Sequence, residues 1–401
     1  MNSIGKREPL IFIAAGEVSG DNLAARLMAA LKRETGGKIR FAGIGGPQSQ
    51  AEGLNSLFPM SDLSVMGLAE ILPHLPRLLR RINETARAAR DLKPDAVVTV
   101  DSPGFSLRVA HHLQGSGIPV IHYVAPQLWA WWPSRAKKLK ARVGHIMALL
   151  PFEVPFFERY GIPCTYVGHP AIGIVAELGD GGAFRKRHGI AANARILCVL
   201  PGSRGGEVRR HLPIFGETLA RLKEKHPGLQ LVVPVVDAVA EPVRQAALTW
   251  PYPTLLVGGA EERLGAFAAA HAALAKSGTV TLELALAGVP LIVAYRVSPL
   301  SAFLVRRIGV SVAHASLVNL LLGRTAIPEY LQEECTPDKL AAGLDAILSS
   351  ERVREEQLAA FKEVARILGS TSPSPSERAA KVVLDIIRAR ADGAAAAKAA
   401  D

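Results

Sequence analysis

Apolar runs alternate with segments of helical periodicity along most of the chain. The first series comprises LIFIAAG, a helical pattern over Asp21–Arg33, and the runs IRFAGIGG, DAVVTVD, IPVIHYVAP and VGHIMALLP. A second series begins at Ile196 and continues through LQLVVPVV, TLLVGG, AALAKSG and VPLIVAYRV. Alternation of this kind predicts parallel sheets with helices on both faces.

The two series predict an α/β protein with two Rossmann-like, doubly wound domains that face a central cleft, and helices at the C-terminus. A chain of 401 residues is too long for one ordinary core. The segment LGDGG at 178–182 has linker composition, so we place the boundary near 175–193. We predict domains at 1–177 and 194–368, a C-terminal helix at 369–392 after the break GSTSPSP, and a disordered tail at 393–401.

Charge and cysteine content narrow the class of protein. The net charge of +11 favours anionic partners, whether nucleic acid, a membrane surface or phosphorylated substrates. Nucleic-acid binding is not expected, since no helix-turn-helix, RRM or zinc-finger signature is present.

The three cysteines, Cys164, Cys198 and Cys335, are far apart in sequence, so we predict neither disulfides nor a zinc site. Their spacing also predicts a cytoplasmic location. Without an apolar run of 18 residues, any membrane contact is predicted to be peripheral.

Two loops in the second half of the chain have the composition of a diphosphate receptor. LPGSRGGE, at 200–207, follows the apolar run ILCVL and offers backbone N–H groups, a hydroxyl and a guanidinium at one point. AKSGTVTLE, at 275–283, opens a predicted helix with small polar residues, and Glu283 follows Thr279 on the same helical face. The alternatives are an ordinary turn for the first loop and an ordinary N-cap for the second.

Two candidate sites lie in the first half. GEVSGD, at 16–21, is not a dinucleotide-binding loop, because Glu17 would lie beside the pyrophosphate; it suits the hydroxyls of a sugar acceptor. The alternative is a tight turn in which Ser19 or Asp21 caps the helix. Asp101 directly follows AVVTV, where a carboxylate can accept a proton from a substrate hydroxyl. Alternatively, Asp101 only favours the positive end of the next helix.

Histidines 122 and 169 also follow apolar runs. Neither His122 nor His169 has a partner at metal-ligand spacing, so we interpret them as structural and predict no metal site.

The segment VMGLAEILPHLPRLLRRI, at 65–82, combines apolar residues with arginines and predicts a membrane-facing surface. Pro73 and Pro76 are predicted to divide its helix into short pieces. Trp129, Trp131 and Trp132 precede a cluster of cations, which is typical of a headgroup layer. Ordinary amphipathic helices are the alternative. The predicted membrane-facing residues are Val65, Met66, Leu68, Ile71, Leu72, Leu75, Arg77, Leu78, Arg80 and Arg81.

Taken in order, these motifs resemble the lipid A disaccharide synthase family of GT-B glycosyltransferases over almost the whole chain. The matching stretches are AAGEVSGD, VMGLAEIL, VDSPGF, IHYVAPQLWAW, LLPFE, LPGSRGGEV, SGTVTLELAL, ASLVNLLLGR and LQEEC. The resemblance implies an inverting transfer from UDP-2,3-diacylglucosamine to 2,3-diacylglucosamine 1-phosphate. It places the acceptor and membrane contacts in the first domain, the UDP-sugar in the second, and the protein on the inner face of the bacterial inner membrane.

The resemblance also implies roles for individual residues. Asp101 would be the general base, and Gly16, Glu17, Ser19 and Gly20 would line the acceptor side. The donor-binding residues would be Gly202, Ser203 and Arg204 at the phosphates, Ser277, Gly278 and Thr279 at the facing helix start, Glu283 at the ribose and Asn319 in the donor pocket. No cofactor is implied, and we predict metal-independent transfer.

The chain departs from the family at Gly104, where a second acidic residue is common, and this departure favours Asp101 acting alone. A UDP-sugar 2-epimerase is the nearest rival, because it would share the phosphate loops but need no acceptor. A non-catalytic membrane-binding module is the second rival. The apolar segment KVVLDII, at 381–387, is a candidate for packing between two chains in a homodimer.

Overall fold

The computed structural model describes residues 8–63, 68–131, 133–298, 314–369 and 372–400. The chain forms two compact units. Unit 1 comprises Met1–Pro170 and Ser370–Asp401, and unit 2 comprises Ala171–Gly369. The passage between them therefore lies before the expected boundary near 175–193, and the C-terminal segment belongs to the first unit.

Unit 1 contains a six-stranded parallel sheet in the order β2-β1-β3-β4-β5-β6. Its strands are β1 Leu10–Ala15, β2 Arg40–Ile44, β3 Ala96–Val100, β4 Val120–Tyr123, β5 His145–Ala148 and β6 Cys164–Tyr166. Its α-helices are α1 Val18–Glu34, α2 Pro47–Ala51, α3 Leu68–Leu92, α4 Pro103–His112, α5 Leu128–Trp131, α6 Ala136–Leu139, α7 Glu153–Arg159 and α17 Pro375–Ala400. Short 3-10 helices are Met60–Leu63 and Pro133–Arg135, and Pro170–Gly173 leads into unit 2.

Both faces of this sheet are buried, which explains why β1 is apolar throughout. Ile11 and Ile13 pack in the same core as residues of α1 and α17. Phe12 and Ala14 pack on the opposite face in the same core as residues of α3 and α4. Unit 1 is therefore a doubly wound sheet whose last covering helix comes from the end of the chain.

Unit 2 repeats this architecture with the strand order β12-β11-β10-β7-β8-β9, again all parallel. Its strands are β7 Arg195–Leu200, β8 Leu229–Val235, β9 Thr254–Gly258, β10 Ala272–Lys276, β11 Leu291–Tyr295 and β12 Glu329–Leu331. Its α-helices are α8 Ile174–Glu177, α9 Gly181–Arg187, α10 Gly205–Lys225, α11 Asp237–Ala247, α12 Ala260–Ala269, α13 Thr279–Leu286, α14 Leu317–Leu322, α15 Pro337–Ser349 and α16 Glu351–Leu368, with a 3-10 helix at Gln332–Glu334.

The core of unit 2 is also divided by its sheet. Leu197 and Val199 pack on one face with residues of α10, α11 and α15. Ile196 packs on the other face with residues of α9 and α12. Two doubly wound, Rossmann-like units confirm the predicted fold class.

Several segments differ from expectation. The prediction that Pro73 and Pro76 divide the helix is wrong, because α3 is continuous. Burial of Ile82, Ala86 and Ala89 against the sheet stabilises its C-terminal part and offsets the hydrogen bonds that proline cannot donate. Helix α9 occupies part of the expected linker, and the side chain of Asp180 accepts a hydrogen bond from the backbone N–H of Gly182.

The C-terminal helix also differs in extent from the predicted 369–392. Helix α17 begins at Pro375 and continues to Ala400, through most of the segment expected to be a disordered tail. Within the KVVLDII segment, Val383, Leu384 and Ile387 are buried in the core of unit 1. These three side chains therefore pack against residues of their own chain. None of the described helices has the length and apolar character needed to cross a membrane.

Candidate functional site

Strained backbone marks the carboxyl ends of β3 and β4 in unit 1. Asp101, Ser102 and Val124 have φ values of 49°, 44° and 78°. Such values cost about 1–3 kcal/mol at a non-glycine residue and are concentrated at functional sites. Since the carboxyl ends of parallel strands form the ligand-binding edge of an α/β sheet, this edge is the candidate site of unit 1.

The segment that leads from β1 into the first turn of α1 contacts Asp101 at this edge. The Ser19 hydroxyl donates a hydrogen bond to Asp101 Oδ2 at 3.3 Å. A Cβ atom on Gly16 would lie 3.0 Å from Ser102 Oγ, and one on Gly20 would lie 3.3 Å from the Val100 carbonyl oxygen. The two glycines therefore allow the loops to approach closely. Glu17 lies between them and is half-buried. The predicted acceptor residues thus lie in the loop and the first helical turn that contact the predicted base.

Asp21, one of the residues that could have capped α1, has a different role. Its buried carboxylate accepts hydrogen bonds from the backbone N–H groups of Gly46, Gln48 and Ser49, at 2.8, 3.0 and 3.1 Å, and so stabilises the start of α2. The N-cap residue of α1 is Glu17, whose side chain makes no capping hydrogen bond. The capping alternative therefore does not describe this loop.

In unit 2 the LPGSRGGE loop connects β7 to α10. Gly202 has a φ of 128°, and a Cβ atom there would lie 2.9 Å from the Glu207 side chain, so the turn requires glycine. Ser203 and Arg204 are exposed, and Arg204 is the N-cap residue of α10. The start of this long helix presents backbone N–H groups and a partial positive charge, both suited to an anion.

The second predicted phosphate loop begins at the neighbouring strand β10. Ser277 is buried, and its hydroxyl donates to the Ala315 carbonyl oxygen at 2.8 Å. Gly278 is the N-cap residue of α13, and Thr279 is exposed at the first position of that helix. Because β7 and β10 are adjacent in the sheet, both predicted phosphate loops leave the same edge of unit 2.

Glu283 and Asn319 have partners within unit 2. The Glu283 carboxylate forms an ion pair with Arg263, yet burial raises the pKa of Glu283 above its ordinary value. Asn319 is completely buried. Its amide nitrogen donates to the Ile327 carbonyl oxygen at 2.9 Å, and its amide oxygen accepts from the N–H groups of Ala326 and Ile327. In the structure, Asn319 fixes the loop between α14 and β12.

Lys276 and Glu207 complete this edge, although neither is among the predicted site residues. Lys276 Nζ lies 2.8 Å from Glu207 Oε1, and both side chains are largely buried. Lys276 also lies over the Tyr295 ring, 5.3 Å from its centroid. Both charged residues occur inside the quoted motifs, directly before Ser277 and shortly after Arg204. The sequence contains no local signal that they pair with each other.

The two histidines of interest are buried in unit 1. His122 Nδ1 lies 2.8 Å from the Thr99 hydroxyl oxygen, and burial lowers the pKa of His122 to about 4. Burial also lowers the pKa of His169 to about 4. Over the described ranges of the chain, no three His, Cys, Asp or Glu side chains are grouped as a metal site would require.

The predicted membrane-facing segment is described only in part. Val65 and Met66 lie outside the described residues, and Leu68, Ile71 and Leu72 lie in α3 where side chains are not described. Leu75 and Leu78 are half-buried, whereas Arg77 and Arg80 are exposed. Arg81 differs from them, because its guanidinium pairs with Asp62 and Glu84 and stacks on Phe58.

Of the predicted headgroup tryptophans, the structure describes the side chain of Trp129. Its indole N–H donates to Glu153 Oε1 at 3.2 Å, and its ring packs edge-on against Phe152. Glu153 is buried, and this burial raises its pKa to about 7. Trp129 is thus tied to a buried carboxyl group of its own unit. Trp132 and the side chain of Trp131 lie outside the described part of the structure.

Comparisons of the sequence with known proteins all match the chain to the same family. A model of the lipid-A-disaccharide synthetase family matches residues 11–383. The lipid-A-disaccharide synthase of Rhodospirillum centenum is 51% identical over 383 residues, which cover 95% of each chain. That of Paramagnetospirillum magneticum is 49% identical over 382 residues, covering 94% of this chain and 98% of the relative.

Solved structures resemble the chain at much lower sequence identity. UDP-GlcNAc 2-epimerase from Neisseria meningitidis, bound to UDP-GlcNAc, superposes with a TM-score of 0.62 at 13% identity, over 90% of this chain and 99% of the epimerase. The calicheamicin glycosyltransferase CalG4 gives 0.58 at 18% identity, over 95% and 98%. At these identities the likeness shows the fold alone.

Proposed function

The chain belongs to the lipid-A-disaccharide synthetase family and is a hexosyltransferase of lipid A synthesis, and from this premise we propose its substrates and mechanism. The donor is UDP-2,3-diacylglucosamine and the acceptor is 2,3-diacylglucosamine 1-phosphate. The products are the β-1′,6-linked disaccharide 1-phosphate and UDP. The observation that carries the proposal is the glycine-dependent loop at Gly202–Arg204, which opens α10 with an exposed guanidinium.

Unit 2 binds the donor in this proposal. Gly202, Ser203 and Arg204 bind the diphosphate from one loop, and Ser277, Gly278 and Thr279 bind it from the neighbouring loop. Glu283 binds the ribose hydroxyls, and Asn319 supports the pocket through the loop that it fixes. Adjacent strands, a 21-residue helix at the first loop and exposed polar groups at both loops support this assignment.

Unit 1 supplies the acid–base chemistry. Asp101 accepts the proton of the acceptor 6-hydroxyl while that oxygen attacks the anomeric carbon of the donor sugar. The bond between the anomeric carbon and the β-phosphate oxygen breaks, and its electron pair leaves with UDP. One displacement inverts the anomeric centre. Ser19, which donates to Asp101 Oδ2 at 3.3 Å, orients the carboxylate, and Gly16, Glu17 and Gly20 shape the acceptor side.

The leaving UDP carries developing negative charge. We infer that Arg204 and the helix N-termini stabilise this charge, so that transfer proceeds without a metal ion. Membrane-bound substrates also require access to a lipid surface. The exposed Arg77 and Arg80 support peripheral binding to the anionic inner face of the inner membrane.

The test is incubation of the purified protein with both substrates and detection of a tetra-acylated disaccharide by mass spectrometry. We expect Asp101→Asn to lower turnover by about 10²- to 10⁴-fold with UDP affinity unchanged, because only the base is removed. Gly104→Ala is the matched control three residues away, in the first turn of α4, where an added Cβ meets nothing within 4 Å. Turnover should persist in EDTA.

Two results would count against the proposal. Epimerisation of the UDP-sugar without an acceptor would favour the rival enzyme class. Full transferase activity in Asp101→Asn would remove the proposed base.

A further inference from the structure

We propose that Lys276 is a direct ligand of the donor diphosphate and that Glu207 holds it in place before the donor binds. This inference rests on the proposed function, because it concerns the same UDP-sugar site. It adds a second cation, beside Arg204, to the two loops that sequence motifs identify.

The first argument is position. Lys276 is the last residue of β10 and directly precedes Ser277 and Gly278. Glu207 lies in the first turn of α10. Since Ala275 of β10 pairs with Leu200 of β7, the two phosphate loops leave neighbouring strands side by side. A diphosphate bound by both loops would lie between them. The Lys276 side chain, which bridges the two loops, lies at that position.

The second argument is the geometry of the ion pair. Lys276 Nζ lies 2.8 Å from Glu207 Oε1, and Arg204 Nη1 lies 3.7 Å from the same oxygen. One carboxylate oxygen thus gathers a cation from each loop. The Lys276 side chain is 15% exposed, whereas the Arg204 side chain is 57% exposed. Lys276 is held in place, while Arg204 reaches into solvent.

The third argument is charge. Although burial alone would raise it, the hydrogen bond and positive charge of Lys276, together with Arg204, hold the pKa of Glu207 below its ordinary value. The carboxylate is therefore ionised at neutral pH, and the cluster of two cations and one anion keeps a net positive charge. An ammonium group has three N–H donors, of which Glu207 uses one. The remaining donors suit phosphate oxygens.

Hydrogen bonds and a ring contact connect the cluster to the end of β11. The neutral His211 ring lies between two backbone groups: Nδ1 lies 2.8 Å from the Glu207 carbonyl oxygen, and Nε2 accepts from the Arg296 N–H at 3.1 Å. This bridge ties the first turn of α10 to the end of β11. Tyr295, the last residue of β11, lies beneath the Lys276 ammonium. An ion pair of this kind contributes little net stability by itself, so the contacts that position it favour a role in binding.

The experiment compares the binding of uridine, UMP and UDP by calorimetry in the wild type, Lys276→Met, Lys276→Arg and Lys225→Met. Loss of a charged hydrogen bond should weaken UDP binding about 10- to 100-fold in Lys276→Met and leave uridine binding unchanged. Lys276→Arg should recover part of the UDP affinity. Lys225 is the control, because it is an exposed lysine of α10 that pairs with Asp345.

The nucleotide series separates a phosphate contact from a structural role. A general loss of structure would weaken all three ligands together and lower the melting temperature of both Lys276 variants, and this result would overturn the inference. Unchanged UDP affinity in Lys276→Met would also overturn it without affecting the transferase assignment. If the wild type binds UDP but forms no disaccharide, the proposed function fails while the phosphate contact is still decided by the Lys276→Met result.

Discussion

The buried side-chain amide of Asn319 forms hydrogen bonds through both its nitrogen and its oxygen. Its nitrogen also donates to Glu329 Oε1 at 2.8 Å, and Glu329 in turn accepts from the backbone N–H groups of Ala315 and Ser316. This network joins the residues directly before α14, whose Ala315 carbonyl oxygen also accepts from Ser277, to β12. At the scale of single residues, the proposed donor site of unit 2 thus depends on side chains that hold the backbone in place as much as on side chains that face solvent.

We expect Asn319→Ala to lower the free energy of unfolding by about 3 kcal/mol, because it leaves the buried N–H groups of Ala326 and Ile327 without their acceptor. Urea unfolding measures this loss. Arg324→Ala is the control, since its ion pair with Glu363 is exposed and worth about 0–1 kcal/mol. Equal stability of the two variants would contradict the structural role of Asn319.

His122 makes unit 1 sensitive to acid. Burial lowers its pKa from 6.5 to about 4, so the unfolded chain binds a proton at a pH where the folded state does not. The stability that depends on neutral His122 is present above pH 6.5 and is lost as the pH falls towards 4, by about 3 kcal/mol in total. Glu153 acts in the opposite direction, because its raised pKa of about 7 favours the folded state below that pH.

We therefore expect His122→Asn to flatten the pH dependence of unfolding between pH 6.5 and 4, while His111→Gln, at an exposed position, leaves it unchanged. Urea titrations at pH 7, 5.5 and 4.5 measure the difference. An unaltered slope in His122→Asn would show that the neutral imidazole does not limit stability in acid.

Among the helices, α3 has arginines of two kinds at 77–81, one paired with carboxylates and two exposed to solvent. Its C-terminal half is anchored by the buried Ile82, Ala86 and Ala89. Arg81 is neutralised by Asp62 and Glu84, whereas Arg77 and Arg80 lie exposed one turn apart. Of the three arginines at 77–81, two are therefore exposed for contact with an anionic surface.

We predict that Arg77→Glu combined with Arg80→Glu weakens binding to vesicles containing anionic lipid by about 30-fold or more, at about 1 kcal/mol for each lost cation. Vesicle sedimentation at low and high salt measures the effect. The matched control is Lys362→Glu with Arg366→Glu, two exposed cations one turn apart on α16. An equal loss in the control pair would indicate a nonspecific effect of net charge.

At the scale of the whole molecule, the chain closes its first unit with its last helix. Ala379, Ala380, Val383, Leu384 and Ile387 of α17 join the core that contains β1 and α1. Unit 1 is therefore complete only after unit 2 has been synthesised. A separate C-terminal helix, as expected from the break at GSTSPSP, would have left this core face uncovered.

We expect Leu384→Ala to destabilise unit 1 by about 2–5 kcal/mol, because it removes a side chain that is 2% exposed. Asp385→Ala, at the adjacent exposed position, should change stability by no more than about 0.5 kcal/mol. Thermal unfolding of both variants tests the assignment. Similar melting temperatures would show that α17 contributes little to this core.

The sequence alone determined the class of fold and predicted which loops carry the chemistry. Buried parallel strands leave continuous apolar runs, and each run ends at the edge of its sheet where α/β proteins bind ligands. Asp101 and the Gly202–Arg204 loop could therefore be proposed as site residues from their positions. The motifs identified the family, because their order and spacing are recorded in the chain itself.

Only the tertiary structure decided which distant residues meet. The pairing of Lys276 with Glu207, the neutralisation of Arg81 by Asp62 and the return of α17 to unit 1 join residues that are far apart in sequence. Local periodicity contains no information on such contacts, because strand order and helix packing determine which side chains meet. Helix α3 is likewise continuous through Pro73 and Pro76, and the packing of its later residues Ile82, Ala86 and Ala89 against the sheet is a tertiary contact that the local proline signal does not contain.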